Sequence, residues 1–309
     1  MPTEQDPRVP WYEAVGEIQI EKKQPNKPHA GKVLAAVQAH ADDIPFFCAG
    51  LVAKLVDEGY TAYLIQTTND EKCGPTPSIG DTIRRNEEEI DVLAKELGFK
   101  QVIHLSYRNH FLDEASPIEL RARLVYLIRA LKIDTITSFS PWGHGEENPD
   151  HYITGQAVEA ARWMAGMSKD YPEHMACGLQ PHGVKELYYW TMRPGQLYNT
   201  AVDIEPYLTQ KIAAMSANKS QGPAGAHGRR LKERLAKDGK KLPALGDDNE
   251  IADRQYIRLF GLSEYEKMGA PYGLAHAEYF YYMPPGGTFT GSMSQTDIEQ
   301  YISENAVDL

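Results

Sequence analysis

Cysteine is scarce in this chain, and its scarcity excludes two kinds of site. Only three cysteines occur in 309 residues, at Cys48, Cys73 and Cys177, and no two of them form a Cys-x-x-Cys pair. An odd number of widely separated cysteines is not the pattern of a disulfide framework or of a zinc site built from thiolates. The fold must therefore depend on its core, and any metal site must use other ligand types.

Long apolar runs and net positive charge are also absent. No stretch approaches the roughly 20 apolar residues that a membrane-spanning helix needs, and the polar, proline-rich start lacks the apolar segment of a secretory signal. The chain has 43 acidic and 32 basic residues, a net charge of -11. This charge disfavours nucleic acid and anionic membranes as partners. We therefore expect a cytoplasmic protein with a small neutral or cationic substrate; whether it forms a homo-oligomer is left open.

The order of apolar segments predicts an α/β fold. Short apolar runs, such as residues 33–38 and 135–139, alternate with longer stretches of helical period, such as residues 82–97 and 118–131. This alternation is typical of right-handed βαβ units. We predict a Rossmann-like, mostly parallel, doubly wound sheet flanked by helices.

The same patterns divide the chain into four segments. Residues 1–30 are polar and interrupted by prolines, which predicts a loosely structured N-terminal arm. Residues 31–221 carry the alternating pattern of the core. Residues 222–255 contain basic residues followed by acidic ones, which predicts a charged helical insertion or lid. Residues 256–309 are expected to complete the same domain.

Two predicted strand ends carry histidines and carboxylates. His40, Asp42 and Asp43 follow the first predicted strand of the core, and the segment from His144 to His151 follows the fourth. Open α/β sheets bind ligands at the carboxyl ends of their strands. One histidine and one carboxylate from the first turn, with one histidine from the second, form a ligand set suited to a catalytic zinc. Adjacent aspartates point in different directions, so one can bind metal while the other accepts a proton.

These two segments resemble the motifs of a known family. AHADD resembles the (A/P)HPDD motif of the PIG-L, or LmbE-like, N-acetylglucosaminyl deacetylases, and NPDHYITG resembles their HPDHxxxG motif. Residues 85–88, 217–221 and 277–280 are similar to further motifs of the family, each of them less specific. The resemblance extends over about 33–280 of the sequence.

The resemblance implies a metal-dependent hydrolase that removes an acetyl or similar acyl group from an amine on a sugar or sugar-like substrate. It implies Zn²⁺, and Fe²⁺ suits the same ligand types. By position in these motifs, the resemblance implies that the metal ligands are His40, Asp43 and His151 and that the general base is Asp42. It also implies that Asp150 orients a histidine and that Arg85 lies near the substrate.

Two departures from the family motifs concern proton transfer. Asn148 replaces the first histidine of HPDHxxxG, and Asn218 replaces the histidine of a later HxSQ motif. An asparagine amide can donate a hydrogen bond to an oxyanion but cannot deliver a proton to a leaving amine. Asn148 is therefore predicted to contact the oxyanion, and His144 is a candidate for the missing acid.

Three other functions are to be weighed. The protein could be an amidase that cleaves larger conjugates such as thiol-sugar amides, with residues 222–255 bordering a wider pocket. It could be a non-catalytic metal-binding protein, since two motif histidines are missing. A nucleotide-binding Rossmann protein is disfavoured, because no G-x-G-x-x-G follows the first strand and because Asp42 and Asp43 would repel a pyrophosphate.

Overall fold

A computed structural model describes residues 13–191, 193–222, 225–285 and 295–307 of the chain. Its strands are β1 (Glu13–Glu21), β2 (Val33–Gln38), β3 (Thr61–Thr68), β4 (Gln101–Tyr107), β5 (Thr135–Phe139), β6 (Glu186–Trp190), β7 (Leu197–Asp203) and β8 (Ala277–Met283). Its α-helices are α1 (Asp43–Phe47), α2 (Ala49–Asp57), α3 (Ile79–Leu97), α4 (Pro117–Leu131), α5 (Pro149–Met164), α6 (Pro172–Ala176), α7 (Leu208–Ala217), α8 (His227–Lys237), α9 (Asn249–Tyr256), α10 (Ser263–Gly269) and α11 (Gln295–Asn305). A π-helical turn, Ile257–Gly261, follows α9.

The strands form one sheet in the order β1-β7-β8-β6-β5-β2-β3-β4. Neighbouring strands are parallel except where β8 pairs with β6 and β7. The predicted Rossmann-like, mostly parallel α/β architecture is confirmed. The chain adds β3 and β4 on one side of β2 and then returns to place β5 on the other side. Ligands of such sheets bind at the point where the strand order reverses, which here lies between β2 and β5.

Apolar side chains cover both faces of the sheet around β2. Leu34 and Ala36 belong to the core cluster on the side of α2, α3 and α7, whereas Ala35 and Val37 belong to the cluster on the side of α4 and α5. All four are buried, with at most 1% of their surface exposed. A strand with apolar residues on both faces is typical of a parallel sheet with helices on each side. This burial fixes the position of the turn that follows β2.

The predicted N-terminal arm requires a correction. The sequence predicts loose structure over 1–30, but Glu13–Glu21 forms strand β1, which pairs in parallel with β7 at the edge of the sheet. The prolines that suggest an arm flank this strand and do not interrupt it, and Ile18 packs against the core. The first 12 residues of the predicted arm lie outside the described residues.

Two short helices, α1 and α2, follow β2 where the apolar spacing of residues 44–58 would suit one continuous helix. The chain leaves helical geometry at Cys48, where φ is -152° and ψ is 14°. Lys211 Nζ donates to two backbone carbonyls of α1, and the Glu278 carboxylate accepts from two backbone amides of α2. Both side chains are fully buried, and Nζ of Lys211 lies 2.7 Å from Oε1 of Glu278. The break is therefore stabilised by groups that come from distant parts of the sequence.

Residues that follow the parallel core complete the domain. β8 lies between β6 and β7 within the sheet. The charged segment predicted to be helical forms α8 and α9, and its Arg229 and the nearby Lys219 both donate to the buried carboxylate of Asp253. None of the described helices combines the length and the apolar composition needed to cross a membrane.

Candidate active site

The three predicted metal ligands lie together at the carboxyl ends of β2 and β5. His40 and Asp43 belong to the turn after β2, and His151 belongs to the first turn of α5. Nδ1 of His40 lies 3.0 Å from Nε2 of His151, and Nε2 of His151 lies 3.2 Å from Oδ1 of Asp43. The three side chains are 3–5% exposed. One candidate ligand atom from each residue lies within 4.8 Å of the others, so the three can close on one ion.

Each of the two histidines has a carboxylate beside its other ring nitrogen. Nε2 of His40 lies 3.0 Å from Oδ2 of Asp150, and Nδ1 of His151 lies 3.1 Å from Oε2 of Glu146. The hydrogen bond with Asp150 holds a proton on Nε2 of His40 and leaves a lone pair on its Nδ1, and the charge of Glu146 favours the corresponding tautomer of His151. Two such lone pairs 3.0 Å apart repel each other unless a cation lies between them. The donor set therefore fits a divalent cation of the zinc or ferrous type.

The electrostatics of the cluster support the same conclusion. Burial alone would lower the pKa of His151, but Asp43 and Glu146 raise it to about 10. Burial opposes protonation of His40 as well, yet its hydrogen bond with Asp150 and the charge of Asp43 raise its pKa. The carboxylates therefore create a negative potential at the imidazoles, which is where a bound cation would be stabilised.

A second grouping of candidate ligands, formed by His40, His110 and Asp150, is less suited to metal. Both oxygens of Asp150 already accept hydrogen bonds. Oδ2 accepts from the backbone amide of His110 at 2.6 Å and from Nδ2 of Asn109 at 3.2 Å, and Oδ1 accepts from the backbone amide of Leu112 at 3.2 Å. A carboxylate held in this way can orient the ring of His40, which is the role predicted for Asp150.

Asp42 and Asp43 are adjacent but have different surroundings. Oδ2 of Asp43 accepts from the backbone amides of Ala39 and His40, so its side chain is fixed toward the cluster. Asp42 makes no side-chain cap to α1 and lines a cavity. Burial, together with the charges of Asp43 and Asp70, raises the pKa of Asp42 to about 7. A carboxylate that lines the cavity and makes no cap to the helix behind it suits a general base.

Asn148 lines the same cavity and also caps α5. Its Oδ1 accepts from the backbone amide of Asp150 at 3.0 Å, as is common for asparagine at a helix N-cap. The Nδ2 group has no hydrogen-bond partner among the described residues, so it is available to a ligand. This position is compatible with the predicted contact to an oxyanion.

Three other residues from the sequence analysis lie away from the cavity lining. His144 is exposed, and its backbone carbonyl accepts from Gln196. Arg85 is exposed on α3. Asn218 is buried at the end of α7, 3% exposed. The positions of His144 and Arg85 do not favour the acid and substrate roles predicted for them, and both roles stay predictions.

Gly155 explains the close approach of α5 to β5. A Cβ atom at this position would lie 2.8 Å from the backbone oxygen of Phe139 and 3.0 Å from that of Ser140. Such contacts are too short for any side chain, so glycine lets the helix rest on the end of the strand. The motif glycine thereby brings His151 within reach of the turn after β2.

Three residues at or beside the cavity are not predicted from the sequence: His110 and Arg193, which line it, and Asp70, which lies behind the turn that carries the ligands. His110 follows β4, Asp70 follows β3, and Arg193 lies between β6 and β7. Asp70 accepts from the backbone amide of Ala41 at 2.8 Å and from the side chain of Gln221, so it supports the turn that carries the ligands. Asp70 and His110 both follow strand ends, as His40 does. The topological rule that singles out His40 could therefore have identified them. Arg193 pairs with Glu146 at 3.2 Å, and no sequence pattern indicates that contact.

The cavity above the cluster has a volume of about 610 Å³. Its polar end holds His40, Asp42, Asp43, Asn148 and His151. The helices that follow the sheet contribute a mainly apolar group of lining residues, here called the aromatic end: Met215, Tyr256, Phe260 and Tyr265. Phe46 and Phe47 of α1 also line the cavity, and the ring of Phe47 lies 6.3 Å from that of His151 between centroids. A ligand whose reactive group reaches the histidines therefore has aromatic surfaces available for its remainder.

Comparison with a family model confirms the resemblance seen in the motifs. Residues 35–162 match the PIG-L family model, which is described as GlcNAc-PI de-N-acetylase. The matched range contains the three candidate ligands together with Asp42 and Asn148. The motifs proposed at 217–221 and 277–280 lie outside it.

Solved structures with a similar fold cover most of this chain. N,N'-diacetylchitobiose deacetylase from Pyrococcus horikoshii is 21% identical, with a TM-score of 0.66 and coverage of 86% of this chain and 88% of that chain. A conserved protein from Thermus thermophilus is 21% identical, with a TM-score of 0.58 and coverage of 85% and 98%. 4-Carboxy-2-hydroxymuconate hydratase from Pseudomonas putida is 17% identical, with a TM-score of 0.57 and coverage of 85% and 100%. At these identities the similarity establishes the fold.

Proposed function

We propose that this protein is a metal-dependent hydrolase that removes an acetyl or similar acyl group from an amine on a sugar or sugar-like substrate. The observation that carries the proposal is the convergence of His40, Asp43 and His151 beside the cavity-lining carboxylate of Asp42. The match of residues 35–162 to the PIG-L family supports it. So does the activity named for the Pyrococcus horikoshii protein of similar fold.

Zinc is the metal that we propose for the cluster, with ferrous iron as the alternative. His40, Asp43 and His151 would hold it, and Asp150 and Glu146 would orient the two imidazoles. When bound, the metal would polarise the amide carbonyl and lower the pKa of nearby water. Three protein ligands leave room for such chemistry, as in catalytic zinc sites generally.

The remaining steps belong to side chains of the cavity. Asp42 would accept a proton from water as the carbon–oxygen bond forms, and Nδ2 of Asn148 would donate to the developing oxyanion. The carbon–nitrogen bond then breaks, and the protonated Asp42 returns its proton to the departing amine. His110 lines the cavity and His144 does not, so His110 is the better placed histidine for that last transfer.

An amidase that acts on larger conjugates is the second candidate. The observation in its favour is the aromatic end of the cavity, which extends beyond the space that an acylamino group needs. A non-catalytic binding protein is the third candidate, and the absence of the two motif histidines is its only support. The fold itself does not choose among reactions, since a hydratase shares it.

A substrate panel tests these candidates. Metal-reconstituted protein would be incubated with N-acetylglucosamine, N,N'-diacetylchitobiose and an amide-linked thiol-sugar conjugate, and the free amine would be quantified by mass spectrometry. We expect release of the amine from at least one N-acetylated sugar. Hydrolysis of the conjugate alone would favour the amidase. Stoichiometric metal without hydrolysis of any member would contradict the proposed function.

A further inference from the structure

The loop between β6 and β7 carries an arginine that reaches the candidate metal site through one intervening carboxylate. Nε of Arg193 lies 3.2 Å from Oε2 of Glu146, and its Nη2 lies 3.4 Å from Oε1 of the same side chain. Oε2 of Glu146 lies in turn 3.1 Å from Nδ1 of the candidate ligand His151. Arg193, Glu146 and His151 therefore form a chain of contacts that ends at the candidate metal site.

The carboxylate of Glu146 is held from more than one side. Its side chain is only 5% exposed, so its charge is largely removed from water. Oε1 accepts from the backbone amide of Asn148 at 3.1 Å. In the part of the chain that the structure describes, Arg193 is the only arginine or lysine that pairs with Glu146. A buried charge needs such a partner, and the planar guanidinium can contact both carboxylate oxygens at once.

The position of this carboxylate matters because Nδ1 of His151 has no other acceptor. Nδ1 is buried and makes no hydrogen bond of favourable geometry with any of the described residues. Oε2 of Glu146 is close enough at 3.1 Å, so the angle to the ring N–H is what falls short. A histidine that binds metal through one ring nitrogen usually donates from the other. A small displacement of Glu146 therefore decides whether Nδ1 of His151 finds its acceptor.

The backbone of the arginine loop is fixed against the segment that carries Glu146. The backbone amide of Arg193 donates to Oε1 of Gln196 at 3.1 Å, and Nε2 of Gln196 donates to the carbonyl of His144 at 2.9 Å. Gly145 has a φ of 67°, and a Cβ atom there would lie 2.9 Å from the carbonyl oxygen of Pro194. Glycine thus permits the two segments to approach closely. The guanidinium is presented to Glu146 from a defined backbone position.

We propose that Arg193 is a positioning residue for the metal site, and that its guanidinium fork holds the Glu146 carboxylate where it accepts from Nδ1 of His151. Arg193 acts through Glu146 and is not itself a ligand. A lysine at this position would supply a positive charge but not the planar fork. The inference rests on the proposed function for the presence of a metal, but it does not depend on which amide is hydrolysed.

The substitution R193K tests the inference because it keeps the charge and removes the fork. We expect the Kd for Zn²⁺ to rise about 10-fold, the low end of the effect of changing a partner of a metal-bound histidine. Competition with a chromophoric chelator measures this Kd. The melting temperature of the metal-free variant, expected to stay close to wild type, checks that it folds. Equal Kd values for wild type and R193K would overturn the inference.

A double-mutant cycle shows whether Arg193 acts through Glu146. E146Q keeps an acceptor for the amide of Asn148 but removes the charge, and it should weaken zinc binding at least as much as R193K does. In the E146Q background, R193K should change the Kd by less than about twofold, because the two substitutions interrupt the same chain of contacts. A full 10-fold effect of R193K in that background would overturn the inference.

The matched control is R108K, which changes another arginine–glutamate pair at the carboxyl end of the sheet. Nε of Arg108 lies 3.0 Å from Oε1 of Glu71, and Oε2 of Glu71 accepts from Asn69. Among the described residues, Glu71 contacts none of the three candidate metal ligands. R108K should therefore keep the wild-type Kd for Zn²⁺. Equal weakening by R108K and R193K would mean that the effect is not specific to Glu146 and would overturn the inference.

Cobalt-reconstituted protein separates this inference from the proposed hydrolysis. We expect the d–d absorption bands of Co²⁺ to change in R193K and to stay unchanged in R108K, since only the first substitution alters a partner of His151. If these results were obtained but wild type hydrolysed no member of the substrate panel, the proposed function would fail and the inference would stand. Normal hydrolysis by wild type, with identical metal affinity and spectra in R193K, would overturn the inference alone.

Discussion

The metal-ligand end of the cavity and its aromatic end are held in very different ways. His40 and His151 are 4% and 5% exposed, and each has a carboxylate beside its second ring nitrogen. Phe260, at the other end, is 53% exposed. The first end is built on strand ends of the sheet, and the second on helices added after it. The contrast suggests that the reaction depends on the rigid core, whereas substrate choice depends on the added helices.

Removing a metal ligand should have the largest effect on the rigid end. We expect wild type to bind about one divalent ion per chain, as a mononuclear three-ligand site does. His151→Ala should lose most of this metal and its turnover, because two ligands rarely retain zinc. Elemental analysis after dialysis measures the stoichiometry.

His110→Ala is the matched control for that experiment, since His110 belongs only to the alternative grouping with His40 and Asp150. It should retain the metal. If His110→Ala lost its metal while His151→Ala kept it, the alternative grouping would be the true site.

Asp42→Asn should have the next largest effect while leaving the metal in place. The amide is nearly isosteric but cannot accept a proton, and loss of a positioned general base typically costs about 100- to 10,000-fold in rate. Metal content and melting temperature should stay close to wild type, because Asp42 makes no cap to α1. Loss of metal from this variant would mean that Asp42 is a ligand and that its role is exchanged with that of Asp43.

Asn148 allows its two roles to be separated by two substitutions. Asn148→Ser keeps an N-cap acceptor but removes the Nδ2 donor, and Asn148→Ala removes both. Both should lower kcat about 100-fold, the low end for loss of an oxyanion donor. Only the alanine variant should also lose about 1 kcal/mol of stability, the usual cost of a lost cap. Chemical denaturation and steady-state kinetics measure the two effects. Equal turnover in wild type and the serine variant would remove Asn148 from the reaction.

Phe260→Ala probes the aromatic end and should have the smallest effect. We expect KM for an aryl glycoside to rise several-fold with little change in stability, because the side chain is already 53% exposed. Leu259→Ala is the matched control, since Leu259 is 47% exposed on the same π-helical turn and does not line the cavity. A melting temperature that fell more for Phe260→Ala than for His151→Ala would reverse the comparison between the two ends.

The parts of the fold that the sequence predicts best are the strands with continuous apolar runs. The bounds of β2 and β5 coincide with the predicted ones, since burial on both faces leaves a clear signal. β1 and β7 are not predicted, because both contain polar residues throughout; β1 is an edge strand and β7 lies next to it. The break at Cys48 is not predicted either, because the groups that stabilise it are far away in sequence.

Some residues of the candidate site can be predicted from the sequence and others cannot. His40, Asp43 and His151 can be identified because they occur in specific motifs at strand ends. Arg193 cannot be identified in this way, because it lies in a loop without a motif and its partner Glu146 is 47 positions away in the sequence. The exposed position of His144 cannot be predicted from the sequence either, because the conformation of its loop decides whether the ring faces the cavity or the solvent.

The buried pair formed by Lys211 and Glu278 has a consequence for the order in which the protein matures. Glu278 accepts from the amide of Gly50 across 228 positions of sequence, so the turn that presents Asp43 gains this support only after synthesis has passed residue 278. Before then Lys211 would lack its carboxylate, and a buried charge without its partner typically costs about 3–5 kcal/mol. A growing chain on the ribosome would therefore hold the turn that carries Asp43 loosely. Binding of the proposed ion would be delayed until β8 has entered the sheet.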